Sequence, residues 1–484
     1  MAAVVEAAAV AAAEVVGAGA GAVAGTRRQV DEAFGRGAAC CAPVFFDAHS
    51  PAMTDLKRSL RLLDGLAMVV GIMVGSGIFR TPGLVAARLG RPWLTFVAWI
   101  AGGALALLGA LCFAELATRH PAAGGKYVYV REAFGPRAGF VVGWVEGLAI
   151  YPAAIAGIAV VAGEYTGRLA GLDAGHTRWV GAGLAALFTA INLAGVASGR
   201  WVQNLVTGAK VLALTGVVVL AFAFGSGAGW HSTLPTAPTG GATLVALALA
   251  SQAVIWTYYG YLDVAKIAEE VVDPGRTLPR ILLGGIAIAA ALYLLLNAAF
   301  FQVLSIDRIA ASNLAPGDVA AELTGARGGS LVAALAVLVV LASLNGNIFV
   351  TPRVLFGLAR EGLGPRALAL VNAGGTPWVA MLLVGAVAIA LATTGSFESL
   401  LGLAITVILV IDSFTVLSLF RLRARQPGAP FLVPGFPWVP LAFVGVYAAL
   451  FVGTALGRPG LVAEALALLV GAYALSWTVK PAKP

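Results

Sequence analysis

The sequence predicts an all-helical integral membrane protein with twelve transmembrane helices. Of its 484 residues, 60% are hydrophobic and only 11% are charged, whereas soluble globular proteins carry about 25% charged residues. Apolar runs of about 20 residues, the length that crosses a bilayer as a helix, recur along most of the chain. A soluble core of this size could not bury so much apolar surface, so lipid must cover it.

Twelve apolar stretches account for most of the chain and are numbered as segments one to twelve. In chain order they cover about 64–88, 93–118, 137–163, 178–197, 204–224, 243–270, 281–304, 330–359, 376–395, 397–420, 438–456 and 460–478.

The lysines and arginines give the orientation of these segments, because such residues concentrate in cytoplasmic loops. With the N-terminus inside, most of the 31 lie at the inner ends of segments, and this inner set includes Lys126 and Lys266. We therefore expect a multi-pass protein of the cell (inner) membrane. An even number of segments places both termini in the cytoplasm.

Composition argues against several other classes of protein. The net charge is +8, but the cations stand at the ends of apolar runs instead of clustering on a polar surface, as nucleic-acid binding requires. An anionic lipid surface is the partner that this pattern predicts. Cys40, Cys41 and Cys112 lack metal or disulfide spacing, and the four histidines form no zinc pattern. We predict no metal site, no cofactor and no catalytic residues.

The first 55 residues differ from the rest of the chain. They are rich in alanine, valine and glycine, and Glu6 and Glu14 interrupt the apolar part. A secretory signal begins with a cationic stretch, which is missing from these residues. We expect a cytoplasmic tail, with Met53, just before the first strong segment, as an alternative start of the protein.

Segment one contains three closely spaced glycines, Gly71, Gly75 and Gly77, followed by Pro82. Each glycine costs about 1 kcal/mol relative to alanine inside a helix. Irregular backbone at membrane depth persists only where it is buried in protein or lines a cavity. The pattern favours a broken helix whose free amides face an anionic group. The alternative is a small-residue packing face, since Gly71 and Gly75 are four residues apart.

Segment six carries a second interruption, five segments after the first. Residues 251–261 read SQAVIWTYYGY, and the chain continues to Glu269, Glu270 and Pro274. Paired interrupted helices at corresponding places in two halves indicate a transporter site, as in the inverted repeat of the leucine transporter. The N-terminal ends of half-helices receive a carboxylate, and carbonyls at the opposing ends accept an ammonium. A zwitterion would fit both ends at once.

Several motifs resemble those of one transporter family. They are Gly75-Ser76-Gly77-Ile78-Phe79, Trp256-Thr257-Tyr258-Tyr259-Gly260-Tyr261, Glu269-Glu270, Asp273-Pro274, Leu278-Pro279, the run from Pro121 to Tyr127, Pro352-Arg353, the run from Leu358 to Gly362, and Val433-Pro434-Gly435. Together they resemble the amino acid permeases of the amino acid–polyamine–organocation (APC) superfamily, most of all the bacterial permeases similar to L-type amino acid transporters. The resemblance runs from about Ser59 to the C-terminus.

This resemblance implies an architecture. Segments one to ten, within residues 56–428, would form a 5+5 inverted-repeat core of the leucine-transporter type, with broken helices in segments one and six. Residues 429–484 would add segments eleven and twelve and a short C-terminal tail.

The resemblance also implies a substrate site. Eight residues would contact the substrate, namely Met73, Gly75, Ser76, Gly77, Trp256, Thr257, Tyr259 and Gly260. Met73, Ser76 and Gly77 would contact the substrate's carboxylate or amino group. Trp256, Thr257 and Tyr259 would offer carbonyls to the amino group, and Trp256 would also act as an aromatic gate. Tyr259 stands where related permeases often have glycine, and Tyr261 replaces their usual tryptophan. The sequence places no acid beside the unwound stretch, which favours a neutral side chain, and the bulk of Tyr259 would shrink the pocket.

Lys210 lies inside segment five, where a cation costs about 2.5–3.5 kcal/mol on insertion scales. The resemblance implies a coupling role, in which its ammonium replaces a bound sodium between segments one, five and eight. Alternatively, the side chain reaches the inner interface by snorkelling.

Other polar residues at membrane depth include Glu115, Glu146, Glu164 and Asp412. Glu146 is the acid most expected to be functional, with a structural hydrogen bond as an equal alternative. Asp263 and Lys266, three residues apart, should form a pair. Asn345 and Asn347 could serve the pocket or join helices.

These observations predict secondary active transport of amino acids, most simply neutral L-amino acids, as a symporter coupled to protons or as an antiporter. Two other functions stay open, a polyamine or cationic amino acid antiporter and an amino acid sensor that does not transport. An integral membrane enzyme is disfavoured because the sequence shows no nucleophile–base set. The expected partners are an amino acid, membrane lipid and, for coupling, a proton.

Overall fold

The computed structural model describes residues 58, 60–122, 124–194, 199–235, 237–266, 268–372, 375–394 and 397–477. Within these ranges α-helices hold most of the residues, and one isolated bridge pairs Leu60 with Val271. The predicted all-helical class is confirmed for this part of the chain. The predicted tail, residues 1–55 with Cys40 and Cys41, lies outside the described residues.

Helices lie over each of the predicted apolar segments. In chain order they are Leu62–Met73 with Ser76–Leu89, Pro92–Arg119, Pro136–Val145 with Tyr151–Ala170, Ala174–Ala194, Gly199–Phe224, Gly241–Tyr258 with Asp263–Lys266, Pro274–Val303, Ala326–Val350 with Pro352–Arg360, Trp378–Thr394, Phe397–Arg425, Trp438–Gly457 and Pro459–Ser476. Shorter helices between segments are Lys126–Phe134, Ile306–Ala311 and Ala315–Thr324.

The length and apolarity of these helices make the chain a multi-pass membrane protein. Among the described residues, 9 helices are long and apolar enough to cross a membrane, and the bent pair of segment one raises the number to 10. The helices of segments four and nine, Ala174–Ala194 and Trp378–Thr394, are outside that set.

Burial distinguishes central from peripheral segments. In segment three, 89% of the most apolar stretch is buried inside the protein, and in segment ten the share is 78%. The shares in segments eleven and twelve are 22% and 17%, so most of their apolar surface is left for lipid. Segments three and ten therefore lie in the interior of the described protein.

The predicted interruption of segment one is present. The first helix ends at Met73 and the second begins at Ser76, with a bend of 41° between them. The packing alternative also has support, because a Cβ on Gly75 would lie 2.7 Å from Ser343 Oγ. Gly75 therefore lies at the break in segment one and also allows segment eight to approach closely.

Segment six is interrupted as well. Its long helix ends at Tyr258, and a short helix, Asp263–Lys266, follows after four residues. Gly260 has a φ of +118°, a conformation that side chains disfavour.

Candidate functional site

A cavity lies between the two interruptions. Its volume is about 40 Å³. Segments one, three, six, eight and ten line it. All eight residues predicted from the sequence are among the lining residues: Met73, Gly75, Ser76, Gly77, Trp256, Thr257, Tyr259 and Gly260. Their contact with a substrate stays a prediction.

The two interrupted stretches pack directly on each other. A Cβ on Gly77 would lie 2.9 Å from Thr257 Cα, and a Cβ on Gly260 would lie 2.9 Å from Ile72 Cγ2. Real Cβ atoms do not approach so closely. Glycine at these two positions therefore lets the backbones of segments one and six meet at the cavity wall.

One side of the cavity is a helix N-terminus. The helix Ser76–Leu89 begins at the lining residues Ser76 and Gly77. The first amides of a helix have no intrahelical acceptor, and the helix dipole makes that end partly positive. This end of segment one can receive a carboxylate.

A second helix end at the cavity is the C-terminal end of the helix Gly241–Tyr258, and the last carbonyls of a helix lack intrahelical donors. Two predicted acceptors already accept hydrogen bonds. The carbonyl oxygen of Trp256 lies 3.2 Å from the amide of Tyr259, and that of Thr257 lies 3.0 Å from the hydroxyl of Tyr293 in segment seven. The same hydroxyl lies 2.6 Å from the carbonyl oxygen of Met73. A hydroxyl has one proton, so Tyr293 donates to one of these carbonyls at a time and joins the two interruptions.

Sequence reasoning did not single out Tyr293, although it carries the only hydroxyl group in segment seven. That isolated hydroxyl was the available signal, since a buried tyrosine usually finds a hydrogen-bond partner.

Lys210 is buried, with 1% of its surface exposed. Its Nζ donates to the carbonyl oxygen of Gly71 and, at 2.9 Å, to that of Val74. The break releases the first acceptor, because the Gly75 amide donates to Met73 rather than to Gly71. The ammonium therefore caps the end of the first half-helix of segment one, and the snorkelling alternative is wrong for this structure.

An acid does stand at the cavity, contrary to expectation. Asp263 lines it, three residues after Gly260. Its carboxylate is paired with Lys266, which confirms the predicted pair, and Lys266 Nζ lies 3.4 Å from the ring centroid of Tyr151. The sequence argument assigned Asp263 only to the pair with Lys266, whereas residues 259–262 are not helical and Asp263 lies at the cavity.

Lys126 and Lys266 are not the surface orientation charges that the sequence suggested. Each is 3% exposed. Lys126 Nζ lies 2.8 Å from Glu146 Oε1 and 2.6 Å from Asp412 Oδ1, and it also donates to the hydroxyl of Tyr259. Charged acids such as Glu146 and Asp412 at membrane depth require compensating cations. This requirement could have indicated from the sequence that a lysine is buried beside them.

The two asparagines of segment eight have different roles. Asn347 lines the cavity, whereas Asn345 accepts a 2.7 Å hydrogen bond from Asn192 and so joins segments eight and four. Ser343 also lines the cavity, and its buried hydroxyl has no hydrogen-bond partner within the described ranges. This hydroxyl is a further polar group available to a ligand.

The remaining predicted acids tie helices together away from the cavity. Glu164 pairs with Arg80 and so connects segments three and one. Glu115, which is 0% exposed, accepts hydrogen bonds from Arg119, Arg423 and the amide of Val433.

Comparison with known proteins places this arrangement in context. A family model described as amino acid permease matches residues 60–465. The serine/threonine exchanger SteT of Bacillus subtilis is 30% identical over 399 residues, which are 81% of this chain and 90% of that relative. The human b(0,+)-type amino acid transporter 1 is 28% identical, over 83% of each chain. The human Asc-type amino acid transporter 1 is also 28% identical, over 84% of this chain and 79% of its own.

The fold is also similar to that of a solved transporter. MHP1, a nucleobase-cation-symport-1 family transporter in a closed conformation with bromovinylhydantoin bound, superimposes with a TM-score of 0.56. The match covers 88% of this chain and 94% of that one, at 17% sequence identity.

Proposed function

Because this chain belongs to the amino acid permease family, we propose that it carries neutral L-amino acids across the cytoplasmic membrane by alternating access. The observation that carries the proposal is the pair of helix ends in one cavity, one suited to a carboxylate and the other to an ammonium.

The proposed architecture has twelve membrane-spanning helices, with both termini in the cytoplasm. Residues 56–428 form the 5+5 inverted-repeat core, residues 429–484 add segments eleven and twelve, and residues 1–55 form the tail. The fold similarity to MHP1 and the two interruptions five segments apart support this arrangement.

In the proposed site, the amides of Ser76 and Gly77 bind the substrate carboxylate, and Gly75, whose amide is bonded to the carbonyl of Met73, contacts the substrate beside them. The backbone of Trp256, Tyr259 and Gly260 faces the ammonium. Trp256 covers the substrate as an aromatic gate, and Met73 completes the site.

The preference for a neutral side chain is supported by the acids near the cavity, each of which already contacts a lysine. Asp263 is paired with Lys266, and Glu146 and Asp412 both contact Lys126. The described lining therefore contains no unpaired acid that would bind a cationic side chain.

Uptake of labelled amino acids into liposomes that contain the purified protein tests this function. We expect neutral L-amino acids to compete for uptake, because they present both α-groups. Their amides and decarboxylated amines should compete poorly, since each lacks the carboxylate. Strong competition by putrescine or agmatine would favour the polyamine alternative. Binding without uptake would favour a sensor.

A further inference from the structure

The ammonium of Lys126 occupies a binding cage formed by other parts of the chain. We call Glu146, Asp412 and Tyr259 the ammonium cage. Lys126 Nζ meets Glu146 Oε1 at 2.8 Å, Asp412 Oδ1 at 2.6 Å and the Tyr259 hydroxyl. It also lies 4.9 Å from the centroid of the Tyr259 ring. An ammonium has three protons, one for each acceptor, and aromatic faces attract such cations.

The cage depends on a cation. Its residues come from segments three, six and ten, whereas Lys126 begins the short helix Lys126–Phe134 after segment two. Asp412 is 0% exposed, and apart from its ion contact with Lys126 neither of its oxygens receives a hydrogen bond from the described residues. Two buried carboxylates face one ammonium. Removal of Lys126 would leave both without a counter-ion.

The loop before Lys126 delivers the side chain into this cage. Gly124 and Gly125 have φ angles of +115° and +73°, which favour glycine. The amide of Gly124 also donates a 3.1 Å hydrogen bond to the carbonyl oxygen of Lys266. The backbone before Lys126 is thus held by contacts outside the cage, and only its side-chain ammonium enters the cage.

The cage adjoins the cavity. Tyr259 belongs to both, and Tyr151, another lining residue, donates a 3.2 Å hydrogen bond to Glu146. Ile408 lines the cavity and Asp412 follows four residues later, which is about 6 Å along the helix. A substrate whose α-groups lie at the two helix ends could extend a cationic side chain into the cage if Lys126 were absent.

We propose that Lys126 determines substrate specificity by filling a site for a primary alkylammonium group beside the cavity, and so excludes cationic amino acids and diamines. The proposal rests on the proposed transport of amino acids, but the cage itself can be tested without transport.

Lys126→Ala empties the cage, and n-butylammonium probes it directly. We expect n-butylammonium to raise the thermal midpoint of purified Lys126→Ala and to leave the wild type unchanged. The neutral isostere n-butanol should affect neither protein. The double variant Lys126→Ala with Asp412→Asn should lose the response, because the cage then has one carboxylate fewer. If Lys126→Ala is not recovered from membranes, growth with n-butylammonium should restore its recovery.

Transport provides the second measurement. L-Ornithine and L-lysine should inhibit uptake of a neutral amino acid by Lys126→Ala at concentrations about tenfold lower than in the wild type, equivalent to about 1.4 kcal/mol. The proposal is overturned if n-butylammonium neither stabilises nor restores Lys126→Ala, or if the double variant responds equally. If the wild type takes up no neutral amino acid, the proposed function is wrong. The thermal midpoints would still test whether the ammonium cage binds n-butylammonium.

Discussion

At the residue scale, Lys210 shows how a costly charge is accommodated. Its ammonium lies where two carbonyls, those of Gly71 and Val74, face it at the broken helix. Unpaired buried acceptors cost about 1–3 kcal/mol each, so the lysine and the break stabilise each other. This mutual dependence is the basis for assigning Lys210 a part in the transport cycle.

Lys210→Ala should severely reduce amino acid uptake while the protein still reaches the membrane. The lost contacts are large enough to shift a balance between conformations that differ by a few kcal/mol. Uptake by Lys210→Ala and Lys210→Arg should be measured at acidic and at neutral pH. Unchanged rates and an unchanged pH profile in both variants would remove Lys210 from the mechanism.

Tyr293→Phe should lower uptake, because it removes the hydroxyl that joins Met73 and Thr257 and weakens the site by about 1 kcal/mol. The matched control is Tyr258→Phe. Tyr258 is also buried, but its hydroxyl bonds to the carbonyl of Trp99 and touches neither interruption. A loss of uptake in Tyr258→Phe equal to that in Tyr293→Phe would show that only general packing is affected.

At the scale of elements, the two interruptions form one unit because their backbones touch. Gly77→Leu should abolish uptake without preventing membrane insertion, since any Cβ there meets Thr257 and a branched side chain would also fill the carboxylate end. Gly208→Leu is the control, because no atom of the described residues lies within 4 Å of a Cβ at that position. Normal uptake by Gly77→Leu would contradict the site.

A second tie between elements is Glu115, which connects segment two to Arg423 of segment ten and to Val433. Glu115→Gln should lower the thermal midpoint of the purified protein, because removing one partner of a buried ion pair costs about 3–5 kcal/mol. Glu322→Gln, which breaks an exposed pair with Arg308, should have little effect. Equal shifts in the two variants would contradict the assignment of Glu115 as a structural tie.

At the scale of the whole molecule, the sequence was most informative where the signal is local. Hydropathy located the helices, and glycines and a tyrosine-rich run located both interruptions. The charges were harder to interpret, because hydropathy assigns a lysine at a helix end to the surface. Lys126 is buried only because segments three and ten bring two acids to the short helix after segment two, and such a contact between distant segments leaves no local pattern.

The mode of coupling is also a property of the whole molecule. Exchange, one of the two modes that the sequence leaves open, requires an amino acid on both sides of the membrane. Liposomes preloaded with an unlabelled neutral amino acid should then take up labelled substrate faster than empty liposomes. If preloading has no effect and an inward proton gradient drives uptake, proton coupling replaces exchange.

Segment three contains a wide turn, the π-helix Glu146–Ile150, in which the amide of Tyr151 bonds to the carbonyl of Glu146. In a regular α-helix, residues five apart are separated by about 140° around the axis. The wide turn stacks them, so Glu146 and Tyr151 point the same way and their side chains hydrogen-bond. The π-helix thus changes the angular position of Tyr151 around the helix axis relative to Glu146. Without it, the helix could not present a carboxylate to Lys126 and a phenol ring to the cavity along the same face.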